Sequence, residues 1–252
     1  MIELPVQPEI LALLASFVFL GGVVKGTLGI GLPLVAVPLM AIFLPVPQAI
    51  ALMAVPLIAS NVYQVAQGAP LFPLLARFWT LFVAIALGGF LGVQWLTTVN
   101  ADALNIVLGA AVILVAGTYL VDLAVRIPAR FERPAGGVLG FGAGVLGGVS
   151  SFIGPPLVIY LVAIDLKKEE FITTVAAGFV AGMIPLQGTL LASGYLNGYG
   201  ALLSVGAMGP VLAGMHLGRA LRDRIPQRLF RNVILAVLLV IGANLIRRGM
   251  GF

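Results

Sequence analysis

Residues 22–34 read GVVKGTLGIGLPL. Lys25 is the single charged residue between Glu9 and Arg77. Gly26, Gly29 and Gly31 follow it, and glycine lets a backbone turn sharply and expose its N–H groups. The stretch therefore reads as a turn with a cation beside it, set inside a long apolar run, 10–44. About 20 apolar residues cross a bilayer as a helix, so this run is too long for one span. How the chain uses the excess decides the fold.

The solvent for most of this chain is lipid. Of its 252 residues 61% are hydrophobic and 9% charged, against about 25% charged in a soluble domain. Mean hydropathy is +1.14. The net charge of +5 sits in short connections between apolar runs. That is the positive-inside pattern of a membrane protein rather than a nucleic-acid-binding surface. The first residues, MIELPVQPEI, lack a basic start and do not resemble a cleaved signal peptide. With no cysteine, structural disulfides and thiolate metal sites are excluded. No metal and no cofactor are expected.

Eight apolar segments follow one another: 10–44, 48–68, 78–97, 104–124, 137–164, 171–193, 198–218 and 229–246. The first and fifth are the anomalous ones, long and interrupted by glycine and proline. The chain also repeats itself. IGLPLV at 30–35 matches IGPPLV at 153–158 in five of six positions, at an offset of 123. At that offset Gly21 falls on Gly144, Thr27 on Ser150, Gln64 on Gln187, and Lys25 on the uncharged Gly148. AVILVAGTYL at 111–120 matches AVLLVIGANL at 236–245 in six of ten positions, at an offset of 125. The chain reads as two homologous halves, 1–126 and 127–252.

Charge gives their orientation. Arg126, Arg130 and Arg133 precede the fifth segment, and Arg219, Arg222, Arg224, Arg228 and Arg231 follow the seventh. If every segment crosses the membrane, these clusters fall on opposite faces, against the positive-inside rule. If the first and fifth segments are re-entrant hairpins, both clusters are cytoplasmic, and Glu3, Glu9 and Asp102 lie outside. Arg247 and Arg248 alone disagree. The arms 10–24 and 30–44 hold 15 residues each, about 22 Å of helix, short of the roughly 30 Å hydrocarbon core. Each half then makes three net crossings and the halves are inverted, an architecture of transporters whose broken helices meet at the midplane. Eight full spans with parallel halves is the alternative. The expected fold is thus an all-α polytopic membrane protein of two repeats, each with a glycine-rich broken or re-entrant first segment and three transmembrane helices.

The two tips carry the candidate chemistry. The first offers Lys25, Gly26, Thr27, Gly29 and Gly31. The second, GGVSSFIGPP, offers Gly147, Gly148, Ser150, Ser151 and Gly154. A helix starting at either tip points its N-terminal N–H groups and dipole there, which favours an anion. Pro33 and Pro156 are tolerated in a first helical turn. No Asp or Glu lies inside a predicted span, and a buried ammonium without a partner is costly. Lys25 therefore needs carbonyls, water or an anionic ligand, or else it snorkels to an interface. Asn61, Gln64 and Gln187 lie within spans, as substrate ligands or as interhelical hydrogen-bonding groups. His216, the single histidine, is a candidate proton relay or a packing group near the interface.

At these residues the chain resembles the sulfite exporter TauE/SafE family of membrane permeases. The resemblance covers nearly the whole chain and rests on GTLGIGLPLVAVPL, GVLGGVSSFIGPPLVIYL and the basic connection LGRALRDRIPQRLFR. It implies transport, as export or uptake, of small sulfur-containing anions: sulfite, sulfoacetate or other organosulfonates. The expected partners are that small anion, the lipid bilayer of the cell (inner) membrane, and a second copy in a homodimer, with no nucleic acid. Two other functions are compatible with parts of the sequence. A passive anion channel would conduct without saturation. An intramembrane hydrolase using Ser150 or Ser151 with His216 lacks the Gly-x-Ser-x-Gly context and any orienting acid, so no enzyme is expected.

Overall fold

The computed structural model describes residues 8–28, 31–120, 126–222 and 227–251. Gly29, together with Glu3, Asp122 and Arg224, lies outside them. Among the described residues the chain is helical and has no strand. In chain order the helices are α1 (Pro8–Leu28), α2 (Leu32–Met40), α3 (Val46–Leu52), α4 (Ala54–Ala66), α5 (Leu71–Thr98), α6 (Ala101–Leu120), α7 (Glu132–Ser150), α8 (Gly154–Ala163), α9 (Lys168–Ala192), α10 (Gly198–Gly206), α11 (Met208–Arg222) and α12 (Gln227–Gly249).

Among the described residues four stretches are long and apolar enough to cross a membrane: Pro8–Thr27, Leu71–Thr98, Glu169–Ala192 and Gly198–Leu221. The pair α3 and α4, bent by 44° at a break, makes a fifth if counted as one span. Along α5 the exposed face carries Phe72, Leu75, Trp79, Val83, Leu87, Leu91 and Trp95. An apolar stripe of that length facing outward fits lipid, not water, as its surroundings.

Each long, glycine-broken segment forms two helices of unequal length, where two equal arms were expected of the first. α1 has 21 residues and α2 has 9; α7 has 19 and α8 has 10. At 1.5 Å per residue the long arms rise about 30 Å and the short ones about 14 Å. α1 stays helical past Lys25 because Gly26 packs directly on the backbone of α11 and the Thr27 hydroxyl bonds back to Val23 O at 2.9 Å. α2 ends early because Pro45 disfavours helical backbone at Leu44, and a turn fills 41–44.

The chain forms two compact units. The first contains Met1–Pro56, Val99–Gly117 and Leu191–Phe252; the second contains Leu57–Thr98 and Thr118–Leu190. In the first, α1 lies along α11. A Cβ added at Gly22 would stand 2.5 Å from Val211 O, and one at Gly26 would be 2.8 Å from Met215 Cα. In return Gly214 meets Phe19 and Val23, and Gly218 meets Val23 and Thr27. Contacts that advance together along both chains mean that the helices run parallel. α2 folds back on α1, with Leu32 O 2.7 Å from a Cβ added at Gly21. α6 and α12 meet antiparallel at Gly109 with Gly242 and at Asp102 with Gly249. Arg248 donates to Ile42 O at 2.7 Å, tying α12 to the turn after α2. The basic residue that disagreed with the charge rule thus has a structural task.

The second unit is built alike. α7 lies parallel to α5, with Gly144 against Ile85 and Gly89, and Gly148 against Gly89 and Val93. Gly88 meets Phe141 and Val145, and Gly92 meets Val145 and Gly148. Lipid gives little hydrophobic drive between helices, so close backbone approach at small residues holds such pairs. α8 folds back on α7, with the Tyr160 hydroxyl 3.0 Å from a Cβ added at Gly136. At one end Arg77 of α5 makes a bidentate pair with Glu132 of α7, at 2.7 and 3.0 Å. It also stands 3.9 Å from Glu170 of α9, while Tyr160 of α8 donates to Glu132 O at 3.0 Å. α5 departs from helical geometry at Phe78, next to this cluster.

Candidate functional site

Lys25 occupies the last turn of α1 and is 4% exposed. It is buried within the chain and does not snorkel to the surface. No acidic residue occurs between Glu9 and Asp102. The residues beside Lys25 have local duties. Gly26 has no side chain because the α11 backbone stands where one would go. Thr27 shares its hydroxyl between Val23 O and Gly218 O, at 2.9 and 3.1 Å. Gly31 caps the N-terminus of α2 in the left-handed region, φ 101, where a Cβ is strained.

In the second unit the two serines differ. Ser150 Oγ donates to Leu146 O at 2.6 Å and accepts from Phe152 N at 3.3 Å. Ser151 ends α7 with a left-handed backbone, φ 68. It is fully buried, and its hydroxyl has no hydrogen-bond partner. Gly154 opens α8, followed by Pro155 and Pro156, with no side-chain cap. The first turn of α8 therefore has N–H groups only at Gly154 and Leu157.

The structure groups the remaining sequence candidates by unit. Asn61 of α4 is buried and donates Nδ2 to Leu57 O at 2.7 Å. Gln64 of α4 is half-buried, and Gln187 of α9 is buried. These three belong to the second unit with Ser150, Ser151 and Gly154; Lys25, Gly26, Thr27, Gly31 and His216 belong to the first. His216 is exposed on α11, whereas Met215 and Gly218 beside it face α1.

Sequence reasoning missed three features. Gln48 of α3 is 3% exposed with Nε2 unpaired, and Thr174 of α9 is fully buried with its hydroxyl unpaired. Both were visible as polar residues at the edges of apolar segments, but edges are where polar residues are ordinary. The Arg77–Glu132–Glu170 cluster joins residues 55 apart and more in sequence, and no periodicity reveals such a pairing.

A family model described as sulfite exporter TauE/SafE matches residues 14–245. The chain belongs to the sulfite exporter TauE/SafE family. No curated protein and no solved structure matches it. Membership makes this a multi-pass membrane protein of a transport family, in agreement with the outward apolar face of α5. The matched span includes both glycine-rich turns and every candidate residue described above.

Proposed function

We propose that this TauE/SafE chain is a secondary transporter of small sulfur-containing anions such as sulfite, sulfoacetate or other organosulfonates, working as an exporter in the cell membrane by alternating access. The observation that carries the reading is Lys25, a buried cationic side chain beside a glycine-rich turn. A cation in low-dielectric surroundings attracts a transported anion more strongly than one in water does. Lys25 neutralises the substrate, while backbone N–H groups beside it bind its oxygens. This chemistry needs no bond-making residue, and the chain acts as a carrier and not an enzyme.

We also propose that 1–126 and 127–252 are inverted repeats, each lending its first hairpin to a helix of the other half. Helix packing supports this. Phe19, Gly22, Val23 and Gly26 of α1 correspond to Phe141, Gly144, Val145 and Gly148 of α7, identical at an offset of 122. Their partner glycines 88 and 92 of α5 correspond to 214 and 218 of α11, at an offset of 126. In this register Lys25 stands opposite Gly147, one place from the match given by the IGxPLV motif, and the second tip again has no charge.

The test is anion uptake and binding by the purified chain in proteoliposomes. Lys25→Ala is expected to abolish saturable binding of sulfite and sulfoacetate while the protein stays folded. A mutant that binds both as wild type does would remove the central cation from the mechanism. Uptake that fails to saturate or to exchange would favour a channel.

A further inference from the structure

We propose that the Ser151 hydroxyl, at the turn between α7 and α8 of the second unit, donates a hydrogen bond to the transported oxyanion as it passes and sets how tightly that turn holds it. The inference rests on the anion-transport reading. Two independent features of the residue carry it. The first is its backbone. Ser151 lies at φ 68, where a residue with a Cβ is strained and glycine is not. Among the described residues one other non-glycine has positive φ, Asp165 at φ 55; it is exposed, and aspartate visits this region more readily than serine. The second is its side chain. Ser151 is fully buried and its hydroxyl has no partner, which costs stability wherever it occurs.

Neighbouring residues show how both costs are avoided elsewhere. Ser150 satisfies its hydroxyl on Leu146 O and Phe152 N. In the first hairpin the left-handed residue among those described is a glycine, Gly31, which caps the start of α2. Glycine at 151 would relieve the backbone and delete the unpaired group together. Serine carries both costs, and a substrate that accepts its proton recovers the second. The oxygens of a sulfite or sulfonate are acceptors that match this donor. Gln48 Nε2 and Thr174 Oγ1 are also buried and unpaired, but each lies within a helix with φ outside the left-handed region, so they show one of the two features.

The experiment compares wild type, Ser151→Gly and Ser151→Ala as purified full chains, with sulfite and sulfoacetate as probes. It measures the melting temperature without anion and the Kd for each anion. Ser151→Gly is expected to melt at or above the wild-type temperature yet bind about tenfold more weakly or worse. Ser151→Ala is expected to lose the same affinity and to melt below Ser151→Gly, because it keeps the backbone strain. Wild-type affinity in Ser151→Gly, with wild type itself binding, would overturn the role of Ser151 and leave the transport reading standing. A Ser151→Gly protein that melts below wild type would overturn the strain argument. If wild type binds neither anion, the transport reading fails and this inference with it.

Discussion

The α1–α11 pair of the first unit and the α5–α7 pair of the second share a scaffold and differ in chemistry. In both, a helix that ends at a glycine-rich turn lies parallel to its neighbour, with glycines of both helices pressed on facing backbone. The first pair then places a lysine at its turn, and the left-handed residue described there is a glycine, Gly31, which caps α2. The second places no charge at its turn and a left-handed serine, Ser151, at the end of α7. The second is also pinned at its far end by Arg77, Glu132 and Glu170. In the register of the packed glycines the position 122 residues before Glu132 is Ile10, which carries no charge. Backbone-on-backbone packing tolerates no change of side chain, so it is found in both pairs. A turn that contacts a ligand can differ between them, because its side chains do not hold the helices together.

The largest test of that comparison is to add bulk to each pair at matching points. Gly26→Val and Gly148→Val should each cost about 3 kcal/mol or more, since the added atoms meet backbone that side-chain rotation cannot relieve. Backbone atoms of Met215 stand at 2.8–2.9 Å from a Cβ at 26, and Val93 N at 2.8 Å from one at 148. Thermal unfolding of the two variants should show similar losses. If one position accepts valine and the other does not, the two pairs are not equivalent.

These matching glycines also show how far the sequence could be read. The glycine-rich turns, the burial of Lys25 and the family were legible, because motif and composition are properties of the string. The pairing of α1 with α11 was not. Gly26 and Met215 are 189 residues apart, and small residues on apolar helices carry no signal of which backbone they will meet. Arm lengths were misjudged for the same reason: Lys25 to Thr27 look like a break in a helix until α11 is seen packing on them. Ser150 and Ser151 were indistinguishable as letters. Their difference lies in one backbone angle and one hydrogen bond.

The next test addresses what the second unit has and the first does not. Arg77→Gln removes the bidentate pair with Glu132. Arg77 is 44% exposed at its side chain, so solvent screens the pair and the loss should be about 1 kcal/mol. Glu132 is only 15% exposed, so leaving its carboxylate alone should account for much of that loss. Arg77→Gln with Glu132→Gln should then be more stable than Arg77→Gln alone, in denaturant-free melting of the purified protein. Equal melting of the single and double variants would show that the cluster does not hold the helix ends.

The smallest effect sharpens the claim that packing, not glycine content, is what the two pairs share. Gly142 lies on α7 two residues before Gly144. A Cβ at 144 would meet Ile85 and Gly89 backbone, whereas one at 142 has nothing within 4 Å. Two residues along a helix turn the side chain by about 200°, so these neighbours point to opposite sides. At 144 glycine is required by a facing backbone; at 142 it only leaves the helix with more freedom to lose on folding. Gly142→Ala should therefore leave stability unchanged or raise it by up to about 1 kcal/mol, a rise in melting temperature with transport retained. A loss at 142 comparable to that of a glycine in the α5 contact would mean that a surface not occupied within this chain, such as that of a second copy, presses on α7 there.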